Sequence, residues 1–83
     1  MKLVYFAWVR ERIGLAEEQA EPPPDVATVS QLAAWLSTRG ENYAHAFENA
    51  GIVRAAIDRV HVKPGASIEG AREVAFFPPM TGG

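Results

Sequence analysis

Apolar and polar positions along the chain change period several times, and each change marks an element. Lys2 to Val9 carries Val4, Tyr5, Phe6, Trp8 and Val9. This β-branched and aromatic stretch is apolar on both faces, which predicts a central strand. One face belongs to the core. The other, Val4, Phe6 and Trp8 by the period of two, needs cover from a partner or from the chain itself. Arg10 to Glu18, with Gly14 inside it, reads as a connection, and Glu17 to Glu21 as the short second strand of a hairpin at a sheet edge. Pro22-Pro23-Pro24-Asp25 is a rigid loop leading to Thr28-Val29-Ser30-Gln31, which has the form of a capping box. Val29, Leu32, Ala33 and Leu36 then share a helical face, with Trp35 beside them in the core and Gly40 placed to end the helix.

Glu41 to Ala50 predicts a short second helix, with Tyr43, Ala46, Phe47 and Ala50 on one face and Gly51 after it. Ile52 to Asp58 and Val60 to Val62 are two strands around a tight turn, closed by Lys63-Pro64-Gly65. Ile68 to Ala71 is expected to hold a single helical turn. Glu73 to Phe77 is the last strand, with Val74 and Phe76 on one face and Ala75 and Phe77 on the other. The order predicts an α+β architecture of two layers, one main helix packed across a mixed sheet of about five strands.

The last strand runs into Pro78-Pro79 and then Met80-Thr81-Gly82-Gly83. Proline gives a ladder no N–H and fixes φ near −65°, so a strand entering two prolines ends and leaves as a stiff, extended segment. At ~3.3 to 3.6 Å per residue, Met80 to Gly83 reach roughly 13 to 14 Å beyond Pro79. Glycines lack the Cβ that would clash in a narrow channel. With glycine at about 7% per position, a chance Gly-Gly ending has a probability of about 0.5%. Residues 78–83 are therefore read as a functional tail on a single domain spanning 1–83.

Composition narrows the function classes. With 83 residues there is room for one small core, and a net charge of −2 gives no basic footprint for nucleic acid. The sequence contains no cysteine, which excludes a cysteine nucleophile, disulfides and thiolate-held metal. The longest wholly apolar run, Leu3 to Val9, is far short of the ~18 residues of a membrane span and is closed by Arg10-Glu11-Arg12. The expected location is the cytoplasm. His45 and His61 fall on different predicted elements and make no metal set. Ser30, Ser37 and Ser67 lack a nucleophile elbow, and no phosphate loop is present. Glu17, Glu18 and Glu21 read as a solvated edge that blocks sheet-to-sheet association.

Several stretches together resemble the small subunit of molybdopterin synthase, a ubiquitin-like sulfur carrier. They are Tyr5-Phe6-Ala7 followed by Arg10-Glu11 and Gly14; Ala27-Thr28-Val29 with Leu32; Ala56-Ile57-Asp58; and Glu73-Val74-Ala75-Phe76-Phe77-Pro78-Pro79-Met80-Thr81-Gly82-Gly83. Plain sulfur carriers and ubiquitin share the Gly-Gly ending without the Phe-Phe-Pro-Pro lead-in. Asp58 stands where the family often has Asn, and Gly70-Ala71-Arg72 replaces an acidic-Gly-Asp turn.

The resemblance implies a β-grasp fold and a carrier that is not an enzyme on its own. An adenylyltransferase of the ubiquitin-activating type would use ATP to convert the Gly83 carboxylate to an acyl adenylate. A sulfur donor protein would then replace AMP to leave a thiocarboxylate. Met80, Thr81, Gly82 and Gly83 would enter the large synthase subunit, in a heterotetramer of two small and two large subunits, and deliver sulfur to a pterin precursor. No cofactor, metal, nucleic acid or membrane is expected to bind this chain. The expected partner interface comprises Phe6, Trp8 and Phe77 as an apolar patch on one sheet face, Pro78 and Pro79 beside it, and Arg10 as a rim charge at the end of the first strand. The alternatives are a sulfur carrier for thiamine or tRNA thiolation, a ubiquitin-like protein modifier, and an interaction module with an inert tail.

Overall fold

Within residues 1–79, which the computed structural model describes, the elements run β1 (Lys2–Tyr5), α1 (Ala7–Ile13), β2 (Glu17–Gln19), α2 (Val29–Ser37), α3 (Glu41–Ala46), a 3-10 turn (Ala50–Ile52), β3 (Arg54–Ile57), β4 (Val60–Val62) and β5 (Glu73–Phe77). The strands form one sheet in the order β2-β1-β5-β3-β4. β1 and β5 run parallel at its centre, and every other pair is antiparallel. This mixed sheet with helices packed on it is the β-grasp arrangement that the resemblance implies.

Register decides which side chains are internal. Leu3 lies beside Val74, Tyr5 beside Phe76, and Phe76 beside Ala55, and all five are buried. Against this face pack Val9 and Ile13 of α1, Val29, Leu32, Ala33 and Leu36 of α2, and Tyr43 and Ala46 of α3, followed by Phe47. The Phe47 ring meets Phe76 edge-on, with centroids 5.1 Å apart. The capping box at Thr28 is present: the Gln31 N–H donates to the Thr28 hydroxyl, and the Gln31 side chain accepts from the Thr28 N–H.

Several expectations need correction. β1 stops at Tyr5, and residues 7–13, read as the end of a strand and a connection, form α1. The β propensity of Trp8 and Val9 is overridden by packing: as a helix the segment lays Val9 and Ile13, one turn apart, on one face against the core and leaves Arg10 and Glu11 exposed. Gly14 then ends α1 in the left-handed region, at φ 90°, with its N–H donating to the Arg10 carbonyl at 2.8 Å. Gly40 precedes α3, whereas α2 ends at Ser37. Trp35 is only half-buried and packs beside the core, with the Arg39 guanidinium 5.2 Å from its ring. Ala50 is exposed, and Ile52 lies in the 3-10 turn ahead of β3. Ile68 to Ala71 is a hydrogen-bonded turn in which Gly70 has φ 74°, a conformation no right-handed helical turn contains. At the β3–β4 hairpin, Asp58 and Arg59 both take positive φ, as a two-residue primed turn requires. Asp58 secures that turn by accepting from the Arg72 and Glu73 amides.

Glu18 is the largest departure from the expected edge. It is paired with Leu3 and therefore points to the helix side. One carboxylate oxygen accepts from the Tyr5 hydroxyl at 2.8 Å and the Tyr43 hydroxyl at 2.7 Å, and the other accepts from Arg39 at 3.2 Å. Only Glu17, paired to Lys2 at 3.5 Å, and Glu21 remain on the solvated side.

Removing Glu18 strands two phenols and a guanidinium, so Glu18→Ala is expected to lose about 2 to 3 kcal/mol in urea unfolding, and Glu18→Gln less. A loss indistinguishable from zero contradicts the clamp. The clamp also sets an alkaline limit. Burial first, and then the bond to Glu18, raise both tyrosine pKa values above the ordinary one. A raised folded-state pKa gives stability that is complete below the unfolded value of about 10 and declines above it. Stability should therefore fall above about pH 10, and less steeply in the Tyr5→Phe/Tyr43→Phe double variant, as followed by urea midpoints across pH.

Candidate functional site

The helices cover one face of the sheet and leave the other open. Across the open face, backbone pairing lines up Glu17, Val4, Ala75, Ala56 and His61, one residue from each strand. Valine and alanine in the middle of that row make a floor lower than its surroundings. The result is a trough of about 900 Å³ with Phe6, Phe77, Pro78 and Pro79 at one end and Lys2, Glu73 and Arg59 at the other.

The walls follow from how two strands end. Phe6 keeps extended angles, and its N–H donates to the Phe76 carbonyl at 3.1 Å, continuing the β1–β5 pairing by one step. Its carbonyl meanwhile accepts from the Val9 and Arg10 amides, so the same residue opens α1. The chain turns sharply at Ala7, a non-glycine residue at φ 51°. Phe6 is left 49% exposed at the mouth of the trough. Phe77 closes β5 on the open side, its ring 5.0 Å from the His61 imidazole. Pro78 and Pro79 follow directly and line the apolar end of the trough.

Phe6, Phe77, Pro78 and Pro79 are thus brought together as expected. Trp8 and Arg10 are not part of the trough. Both are on α1, where Trp8 packs beside the core under the Arg12 guanidinium, 4.4 Å from its ring, and Arg10 is exposed instead of ending the first strand. Met80, Thr81, Gly82 and Gly83 lie outside the described residues. His61 lines the trough although the sequence pattern assigned it no role; its position follows from pairing with Ala56, which period alone does not supply. His45 is remote from it, on α3, 3.4 Å from Glu48. Among the described residues no group of His, Asp and Glu has the arrangement to hold a metal ion, and no helix is long and apolar enough to cross a membrane. The trough offers an apolar seat with a charged rim.

The sequence pattern of the ThiS family matches residues 3–83. The chain is 34% identical over 83 residues to the molybdopterin synthase sulfur carrier subunit of Haemophilus influenzae, covering all of this chain and 99% of that protein. It is 35% identical, with the same coverage, to the molybdopterin synthase sulfur carrier subunit of Escherichia coli. Among solved structures, SAMP1 from Haloferax volcanii superposes with a TM-score of 0.71 over the whole of this chain and 98% of its own, at 21% identity, which is a likeness of fold.

The two neighbouring phenylalanines of β5 provide a direct check of which face is open. Phe76 is 1% exposed, so Phe76→Ala is expected to lose about 3 to 5 kcal/mol. Phe77→Ala and Phe6→Ala should each lose less than about 1.5 kcal/mol in urea unfolding. Equal losses at residues 76 and 77 would contradict an uncovered trough.

Proposed function

The chain belongs to the ThiS family, and from that premise we propose that it is the sulfur carrier subunit of a molybdopterin synthase. Its full-length likeness to the two carrier subunits of that name is the observation that carries the reading. The trough with Pro78 and Pro79 at its apolar end supports it.

The chemistry follows from the terminal carboxylate. A carboxylate is a poor electrophile, because resonance and negative charge both resist nucleophilic attack. A partner adenylyltransferase spends ATP to join the Gly83 carboxylate to AMP as a mixed anhydride. A persulfide carried by a donor protein attacks the carbonyl carbon, the bond to AMP breaks, and a thiol reductant then cleaves the sulfur–sulfur bond to the donor, which leaves Gly83 as a thiocarboxylate. In the large synthase subunit that sulfur attacks an electrophilic carbon of the pterin precursor as a leaving group departs from it. Water then hydrolyses the resulting thioester, leaving the sulfur on the pterin and returning Gly83 to its carboxylate. Catalytic acids and bases, and the groups that bind the pterin, belong to the partners.

Within this scheme the body of the protein has a positioning role. The large subunit, in an assembly of two small and two large chains, seats an apolar projection in the trough against Phe6, Phe77, Pro78 and Pro79. Buried aromatic anchors of this kind carry ~2 kcal/mol or more of binding each. Met80 to Gly83 then reach the reaction centre by extension, and thinness at Gly82 and Gly83 admits them. Trp8 and Arg10, on α1, lie outside the seat.

Incubation with adenylyltransferase, ATP and a sulfur donor should give an intact mass higher by the difference between one sulfur and one oxygen, localised by fragmentation to Gly83. Deleting Gly83 should abolish loading. Replacing Gly82 with Trp should leave folding and binding to the large subunit intact while transfer collapses, because the terminal carbonyl no longer reaches the reacting centre. Sulfur loading by the Gly83-deleted chain, or an unchanged wild-type mass with active partners, overturns the reading.

A further inference from the structure

Charge on the open face of the sheet is divided unevenly between its two flanks. On the β1–β2 flank Lys2 pairs with Glu17 at 3.5 Å, so that side neutralises itself. The β3–β4 flank carries cations. Arg54 is the direct neighbour of Phe77 in the β3–β5 pairing and therefore shares its face. His61 pairs with Ala56 on the trough floor, and Lys63, two residues on, follows the same alternation. Arg59, from the β3–β4 turn, lines the trough as well. Arg54, Arg59 and Lys63 are all exposed, and none makes an ion pair among the described residues. Of the neighbouring carboxylates, Asp58 accepts from the Arg72 and Glu73 amides, and Glu73 lies beside Lys2 in register. A strip of unmatched cations thus borders the apolar seat on one side only, on a chain whose net charge is −2.

We propose that this strip selects the partner: the protein that fills the trough carries carboxylates along one border of its apolar projection, facing Arg54, Arg59 and Lys63. The inference rests on the carrier reading, in which the large subunit fills the trough, and adds what that subunit presents there. Arg54 is the strongest element. It stands beside Phe77, where closure of the interface removes water, and its planar guanidinium holds a carboxylate by two parallel bonds. A cation covered without an opposite charge keeps its full desolvation cost, so an apolar or basic border is rejected. Because the Lys2–Glu17 side is already neutral, the attraction is one-sided and fixes which way round the projection enters. It also steers the encounter, since like charges along a single edge add their fields within about a Debye length. A nucleic acid matches less well, because the floor of Val4, Ala56 and Ala75 beside the strip desolvates aliphatic surface and offers phosphates nothing.

Zero-length cross-linking of the carrier to the large subunit of molybdopterin synthase with a water-soluble carbodiimide tests it, because the chain has two lysines, one on each flank. Lys63 should couple to an aspartate or glutamate of the large subunit, located by peptide mass spectrometry, and Lys2 should not. This arm is read on the wild-type chain and needs no variant to fold. In stopped-flow binding at low salt, Arg54→Glu with Lys63→Glu should slow association by about tenfold or more, and the gap should close toward about 1 M salt. Arg54→Lys should keep the salt dependence of the wild type. Asn49→Asp, at an exposed site outside the trough, should associate like the wild type, whereas Arg54→Gln, the same change in net charge, should be slower. Failure of the wild-type chain to bind the large subunit overturns the carrier reading and this inference with it. Binding that ignores both salt and the charge reversals, or the absence of a Lys63 cross-link from the bound complex, overturns the inference alone. Displacement of the large subunit by an equal concentration of single-stranded RNA also overturns it, by assigning the strip to phosphates.

Discussion

The parallel pairing of β1 with β5 is the constraint on which the rest depends. Parallel neighbours run in the same direction, so the end of the first strand and the end of the last are brought to the same edge of the sheet. At that edge the two chains part. After Tyr5 the backbone gives one more pairing bond through Phe6 and turns into α1, and after Phe77 it is stopped by Pro78. Two aromatic side chains and the Pro78-Pro79 step therefore meet at one place, although some 70 residues separate them in sequence. No antiparallel arrangement of these two strands would put them there.

The helices then determine which face can work. Three short helices supply enough apolar surface to cover one side of the sheet, and alanine and valine on the other side leave a floor that a partner can approach. A small sheet with one bare face is prone to twist and fray at its edges. The β2 edge is secured from the covered side by Glu18, held by Tyr5 from the neighbouring strand, Tyr43 from α3 and Arg39 from the chain between α2 and α3. One carboxylate thus ties strand, helix and connection without placing anything on the open face.

Much of this was legible before the structure. The capping box at Thr28, the helical spacing of Val29, Leu32, Ala33 and Leu36, and the alternation in Glu73 to Phe77 each gave an element of the right kind in the right place, because each is set by local periodicity or local hydrogen bonding. The family was legible from the residues around Phe77 and Pro78. What was missed depends on pairing. Trp8 and Val9 look like strand until Val9 and Ile13 are seen to reach the same core, and Glu18 looks like a solvated edge until register places it beside Leu3. His61 joins the trough for the same reason: its neighbour is Ala56 across a strand pair, and no window along the chain contains that information.

The central claim is that the open face of the sheet seats the partner while the chain beyond Pro79 extends into it. Titrating the nitrogen-15-labelled chain with the large subunit of molybdopterin synthase, and following backbone amides by NMR, tests this most directly. The account predicts that the perturbed amides cluster at Val4, Phe6, Ala56, His61, Ala75 and Phe77 and continue through the residues after Pro79, while the amides of α2 stay unchanged. Perturbations confined to the helical side, with the trough silent at saturation, would contradict it.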